Sequence, residues 1–259
     1  MQPVVGEGPY GRGQTGMKLS VISPTYNEAE NVRPFVEAVR QALQGRDYEI
    51  WIVDDDSPDC TWQLAEELRK EFPELRVLRR TRDRGLGRAV ADGFIQASGE
   101  IVACIDADLQ HDPSILPLML RELEGGCDLA VASRYTAGGG VSNWNWPRRF
   151  ASWVATKAAQ ICLGVKLSDP MSGYFMLQRK DFLAVKDQLN LQGFKILLEI
   201  AAKLKPRKIV ETSYTFRPRT AGASKLSAKV ALDYLHQLWR LSNQRYAAAK
   251  TRNEATHHS

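Results

Sequence analysis

A chain of 259 residues with 44% hydrophobic side chains can bury a substantial core, as one large α/β domain or two small ones. Its net charge of +5 and isoelectric point near 9.0 suit an anionic ligand or a membrane surface. No uninterrupted apolar run approaches the roughly 18 residues that cross a bilayer, and Cys60, Cys104, Cys127 and Cys162 form no CxxC pair, which excludes a spanning helix and a disulfide framework. The cysteines read as reduced core thiols of a cytosolic protein.

Residues 1–16 are Gly-rich and lack the apolar segment of a signal peptide, so a mobile leader is expected there. Residues 17–246 then read as a single domain. Strand-like runs at Lys18–Ser23, Glu49–Asp54, Arg76–Arg79, Ile101–Asp106 and Asp128–Ser133 alternate with helical spacing at Ala29–Leu43, Thr61–Phe72, Gly87–Ala97 and Ser114–Leu123. That alternation predicts an α/β fold, a mostly parallel central sheet with helices on its faces. Ligands of such sheets gather at the carboxyl ends of the strands. After Gly138–Gly140 come two amphipathic stretches, about 147–164 and 227–242, carrying Trp153 and Trp239 with Trp144 and Trp146 just upstream. They fit either helices packed on the sheet or helices lying on a membrane. Residues 247–259 are polar and expected to fray, with His257 and His258 as tail residues rather than metal ligands.

The strand ends carry the chemistry. Asp106-Ala107-Asp108 closes the apolar run Ile101-Val102-Ala103-Cys104-Ile105, and strand alternation would send both carboxylates to one side. Such a pair suits magnesium shared with substrate phosphates; a solvated turn or helix cap uses the same residues. In Asp54-Asp55-Asp56, Asp55 is the candidate to accept from a ribose or a base edge, whereas Asp59 before Thr61 fits a helix cap. Pro24-Thr25-Tyr26-Asn27-Glu28 offers an aromatic face and a carboxylate, although Asn27 also fits a cap.

Together with Ser133-Arg134-Tyr135, Asp169-Pro170-Met171-Ser172-Gly173-Tyr174 and Phe216-Arg217-Pro218-Arg219 through Ser224-Lys225, these segments resemble the family 2 glycosyltransferases of the GT-A fold, and within them the dolichol-phosphate (polyprenol-phosphate) mannose synthases. The resemblance runs from about Leu19 to Tyr246. It implies a Rossmann-like GT-A sheet with C-terminal amphipathic interface helices. It implies that Pro24, Tyr26, Glu28, Val53 and Asp55 hold the nucleoside of GDP-mannose, and that Asp106, Asp108 and Gln110 hold Mg2+ or Mn2+ while the Ala107 backbone touches the nucleotide. It further implies Lys195, Arg219 and Lys225 around the donor phosphates, and Arg134, Arg148 and Ser152 at the phosphate of a dolichyl or polyprenyl phosphate. Asp108 and Arg134 would be the catalytic pair. Cys60 departs from the glycine usual in this family, and it fits that turn only with a negative φ.

Relatives that glycosylate a hydroxyl resemble one another in carrying a Glu-Asp or Asp base and a Gln-x-x-Arg-Trp motif; neither is present, and Gln237-Leu238-Trp239-Arg240 is not that motif. A phosphate monoester, with its second pKa near about 6, needs no such base. The expected reaction is therefore an inverting displacement by a lipid phosphate, with Glu199 left as helix polarity or a supporting group. A peripheral location on the cytosolic face of a membrane follows, with a membrane-protein subunit among the partners that the resemblance implies. Open alternatives are a UDP-glucose donor and a non-catalytic nucleotide-sugar-binding docking module. Nucleic acid is not an expected partner, since the arginines are scattered and no recognition motif occurs.

Overall fold

The computed structural model describes residues 17–141, 146–164, 166–191, 195–216 and 236–243, with backbone alone for 141, 146–152, 162 and 163. The first half follows the expected alternation: β1 Leu19–Thr25, α1 Ala29–Ala42, β2 Tyr48–Asp54, α2 Thr61–Leu68, β3 Leu75–Arg79, α3 Leu86–Gln96, β4 Ile101–Cys104, α4 Leu116–Glu124 and β5 Leu129–Ser133. Then come β6 Gly140–Val141, α5 Trp146–Leu163, β7 Phe175–Gln178, α6 Arg179–Val185, α7 Ile196–Leu204, β8 Ile209–Ser213 and β9 Thr215–Phe216. Residues 236–243 are also helical; 227–235 of the expected second interface helix, the leader and the tail lie outside the described residues.

Seven strands form one sheet in the order β3-β2-β1-β4-β7-β5-β8. All pairs are parallel except those of β7, which runs antiparallel to both β4 and β5. The short strands β6 and β9 pair separately. Chain direction across the sheet reverses between β1 and β4, the position at which open α/β sheets form a crevice. Because β7 is inverted, its amino end at Phe175 lies beside the carboxyl end of β4 at Cys104. The segment before it thereby joins the ligand rim.

Both faces are covered, so the strands read as nearly continuous apolar runs. Leu19 and Val21 face the layer of α1, α2 and α4, whereas Ile22, Val53, Val102 and Cys104 face the layer of α3, α6 and α7. Among the polar side chains inside this core, Ser20 Oγ donates to Glu49 Oε1 at 2.7 Å, as does Ser98 N at 2.7 Å. Burial pushes the Glu49 carboxyl up, but these hydrogen bonds outweigh it and hold the group below its ordinary range.

Helix α5 inverts the usual pattern. It turns the small Thr156 and Ala159 inward and leaves Trp153 54%, Val154 45% and Ile161 78% exposed. Residues 236–243 bury Leu238 and Leu241 but leave Trp239 63% exposed. No helix of the described residues is long and apolar enough to cross a membrane.

One expectation fails at Cys60, whose φ is +65° rather than negative. The loop between β2 and α2 is closed by hydrogen bonds on either side of it. Asp54 accepts from Ser57 N at 2.8 Å and Ser57 Oγ at 2.6 Å, and Asp59 accepts from Thr61 N and Ala29 N at 3.1 Å each. These closures hold the left-handed turn although a Cβ there costs about 1–2 kcal/mol. Cys60→Gly is expected to stabilise the fold by about 1 kcal/mol and to raise the melting temperature in calorimetry by about 2–4 °C. An unchanged or lowered melting temperature would contradict this account of the turn.

Candidate active site

The β2 end separates its three carboxylates into three roles. Asp54 is fully buried and braces the loop, accepting also from Thr25 Oγ1 at 2.8 Å. Asp55 accepts from Gly85 N at 2.7 Å and pairs with Arg80, whose buried guanidinium also reaches Asp92 Oδ2 at 2.7 Å and the Asp83 carbonyl at 2.7 Å. Asp56 turns to the surface and to Arg79 and Arg84. Beside this loop, Val53 is buried, Pro24 and Glu28 are half-buried and Tyr26 is exposed. Glu28 Oε2 accepts from Asn31 Nδ2 at 2.7 Å, and Glu28 N donates to Thr61 Oγ1 at 3.0 Å. Asp59 caps as expected.

Strand β4 ends at Cys104, two residues before the expected end, so Asp106-Ala107-Asp108 lies on a turn and strand alternation does not aim its carboxylates. The turn is shaped by contacts of its own. Leu109 has φ +57°, and Asp108 Oδ1 accepts from Gln110 N at 3.1 Å. Asp106 N donates to His111 Nδ1 at 3.4 Å. Asp108 and Ala107 are buried, whereas the Asp106 side chain is 36% exposed. Gly173, just before β7, lies against Asp106; a Cβ there would stand 3.3 Å from Oδ2. His111 is buried with ring centroids of Tyr174, Tyr214 and Phe216 5.5–5.6 Å away. Burial pushes its pKa down to about 4, so the ring is neutral near pH 7.

Two cations, Arg134 and Lys195, lie close enough to one another and to these carboxylates to interact. Arg134, following β5, donates through Nε and Nη2 to the two oxygens of Asp169 at 2.7 Å each, and through its backbone N at 3.2 Å. Asp169 is fully buried. It is held in turn by Glu211 of β8, whose carboxylate accepts from Ser168 N at 3.0 Å and from Asp169 N at 3.2 Å. Burial works against the Arg134 charge, yet the bonds from Asp169 outweigh it and raise its pKa. The guanidinium also lies 5.5 Å from the Tyr135 ring and 5.6 Å from that of Phe216. Lys195 Nζ donates to the Met171 carbonyl at 3.3 Å. Burial, reinforced by Arg134, pushes Lys195 below its ordinary value while Asp106 and Asp169 oppose the shift.

Glu199 is 1% exposed, and its carboxylate accepts from Gln237 Nε2 at 3.1 Å, pairs with Arg240 and takes Asn190 N at 3.4 Å. Arg148 and Ser152 lie on α5 as backbone alone, and Arg219 and Lys225 lie outside the described residues. The rim thus brings Asp106, Asp108, Gln110, Arg134 and Lys195 together, with Asp55 and Glu28 on the neighbouring loops. Sequence reasoning singled out the motif that begins at Asp169 without giving that residue a role, and missed the supporting partners Arg80 and Glu211. Glu211 had a usable signal, since an acid inside Ile209-Val210-Glu211 needs a donor when half-buried.

A mostly parallel sheet with its crevice at the switch point is the GT-A type of α/β architecture. Residues 20–185 match the sequence model of Glycosyl transferase family 2. The chain belongs to that family. It is 45% identical to a dolichol-phosphate mannosyltransferase of Pyrococcus furiosus over 87% of this chain and 64% of that protein. It is 37% identical to the dolichol-phosphate mannosyltransferase of Saccharomyces cerevisiae, over 86% of both. The chain therefore spans about two thirds of the length of the archaeal relative and most of the yeast one. In fold it is similar to a mannosyltransferase from Pyrobaculum calidifontis in complex with GDP-Man and Mn2+, with a TM-score of 0.58, 17% identity and coverage of 91% of this chain and 76% of that one.

Asp169→Ala would leave Arg134 buried without its anion, and is expected to destabilise the protein by about 3–5 kcal/mol. Urea unfolding measures it; a midpoint within error of wild type would show that the pair is not the clamp described.

Proposed function

We propose that the chain transfers mannose from GDP-mannose to the phosphate of a dolichyl or polyprenyl phosphate, with inversion at the anomeric carbon. The observation that carries this reading is the facing of the Asp106/Asp108 pair by Arg134 and Lys195 on one rim, while Glu199 is tied to Arg240 and Gln237. A site that draws two phosphate-bearing substrates together needs cations to offset their charge, and a divalent cation held by Asp106 and Asp108 would add to Arg134 and Lys195. An acceptor that is already anionic needs no proton removed. The names of the Pyrococcus and yeast relatives point the same way.

Asp106 and Asp108 fit a divalent cation, Mg2+ or Mn2+: one carboxylate is open to solvent, its neighbour is anchored on the Gln110 amide, and the glycine at 173 leaves room beside Asp106 Oδ2. Gln110 and substrate phosphates would complete its shell. When bound, the cation supplies Lewis-acid neutralisation of the departing diphosphate. Arg134, oriented by Asp169, and Lys195 hold the acceptor phosphate and donor phosphates at reacting distance against their mutual repulsion, with Arg148, Ser152, Arg219 and Lys225 assigned to the same anions by family resemblance. Tyr26, Glu28, Pro24, Val53 and Asp55 take the nucleoside, with Arg80 fixing the Asp55 carboxylate.

The outward Trp153, Val154, Ile161 and Trp239 form the face that meets a membrane surface, where the lipid acceptor resides. The protein then acts as a peripheral enzyme of the cytosolic face, and a membrane-protein subunit is a further partner in this reading.

Three outcomes are expected. Asp108→Ala lowers mannosyl transfer to farnesyl phosphate by at least about a hundredfold while circular dichroism stays unchanged; turnover within tenfold of wild type would sink the cation-site assignment. Glu199→Gln keeps kcat within about threefold once folded, because a general base would contribute about 10²–10⁴; a hundredfold loss would make Glu199 that base. GDP release in the presence of farnesyl phosphate exceeds UDP release from UDP-glucose, and the reverse order would replace the donor.

A further inference from the structure

Tyr214 stands between β8 and β9, with its backbone pinned on both sides. Its N donates to the Ser133 carbonyl at 3.2 Å, and its own carbonyl accepts from Gly140 N at 3.1 Å. The residue is only 4% exposed, and its ring packs against His111, Tyr174 and Phe216 at centroid distances of 5.6, 6.1 and 6.3 Å. Its hydroxyl lies within the fields of Arg134, Asp169, Asp106 and Asp108, the groups that face each other across the rim. Among the described residues that buried oxygen has no hydrogen-bond partner. A buried hydroxyl left unpaired costs roughly 1–3 kcal/mol, and so seldom persists without a purpose.

The position decides what could pair with it. A hydroxyl is both donor and acceptor, but burial beside Asp169, Asp106 and Asp108 pushes the Tyr214 phenol well above its ordinary value, although Arg134 opposes the shift. It therefore stays protonated and is suited to donate. The neighbouring Asp169 oxygens already take Arg134. Arg134 is its close neighbour, since Tyr214 N bonds the carbonyl of Ser133, the residue before Arg134, and the Arg134 guanidinium lies on the Phe216 ring that packs against Tyr214; an anionic substrate oxygen drawn to Arg134 would therefore come near this hydroxyl.

We propose that the Tyr214 hydroxyl is a substrate-binding group that donates a hydrogen bond to a phosphate oxygen lodged beside Arg134. This rests on the reading of the rim as a site for two phosphate-bearing substrates. The shared chemistry is a phosphate oxygen, from either the lipid phosphate or the nucleotide diphosphate.

Tyr214→Phe removes the oxygen and keeps the ring packed on His111 and Phe216. Calorimetric titration of the full chain and of this variant, with farnesyl phosphate and separately with GDP plus Mn2+, reads the effect. The variant is expected to bind one of the two probes at least about tenfold more weakly, as for a lost hydrogen bond to a charged group. A loss confined to farnesyl phosphate assigns the hydroxyl to the acceptor, and a loss confined to GDP assigns it to the donor. Both affinities within twofold of wild type would overturn the proposal. So would a melting temperature of the ligand-free variant more than about 4 °C below wild type, because the oxygen would then serve a bond inside the protein itself. Since the readout is binding, a wild-type chain that fails to transfer mannose but loses phosphate affinity on Tyr214→Phe would remove the functional reading and leave this one standing.

Discussion

The rim depends on a guanidinium kept charged where water is largely excluded. Burial alone penalises Arg134, and two short parallel hydrogen bonds to a fully buried carboxylate reverse that penalty. Asp169 can do this only because Ser168 N and Asp169 N are held by Glu211 on the outermost strand. A chain of three residues from β5, the segment before β7, and β8 thus fixes one positive charge. Lys195 nearby has a weakened hold on its own proton, chiefly because it is buried and in lesser part because Arg134 stands near. Across the gap, Asp106 and Asp108 are aimed by a turn rather than by the sheet. The site is therefore a pair of opposed fields, each preorganised by groups that never need touch the substrate.

Much of the fold was legible because the central strands are buried on both faces. Leu19–Ile22, Ile50–Val53 and Ile101–Ile105 are apolar at nearly every position, a run that periodicity and length identify as strand. Phe175–Gln178 was not legible: four residues carry too little pattern, and nothing local announces that the strand runs backwards between two others. The carboxylate pair at 106 and 108 was readable from residue type, yet its geometry was not. The left-handed Leu109 and the bond from the Gln110 amide are decided by tertiary closure onto His111 and Gly173. Arg134 was found, but its partner lies 35 residues on, beyond any short-range signal. Arg80 was lost among Arg79, Arg82, Arg84 and Arg88, since composition does not say which of several arginines is buried.

The misjudged turn at Cys60 shows the same priority of closure over local preference. Asp54 and Asp59 gather six hydrogen bonds from Thr25, Ser57, Thr61 and Ala29 around it through groups set by separate elements. Several modest bonds that order the loop between β2 and α2 together exceed the steric cost at one residue. Local strain here is the residue of a loop fixed from both ends.

The inverted strand β7 also orders events in time. Every strand from β2 to β4 can join a neighbour already made, whereas β5 pairs only with β7 and β8, both later in the chain. During synthesis the half built on β1 to β4 can therefore consolidate while β5 and Arg134 wait for a segment that must slot between β4 and β5. Pairings so distant in sequence are slow to close. The half of the crevice that carries Arg134 is thus the last to exist, and a nascent or damaged chain would acquire the rim around Asp55 before it acquired the rim around Arg134.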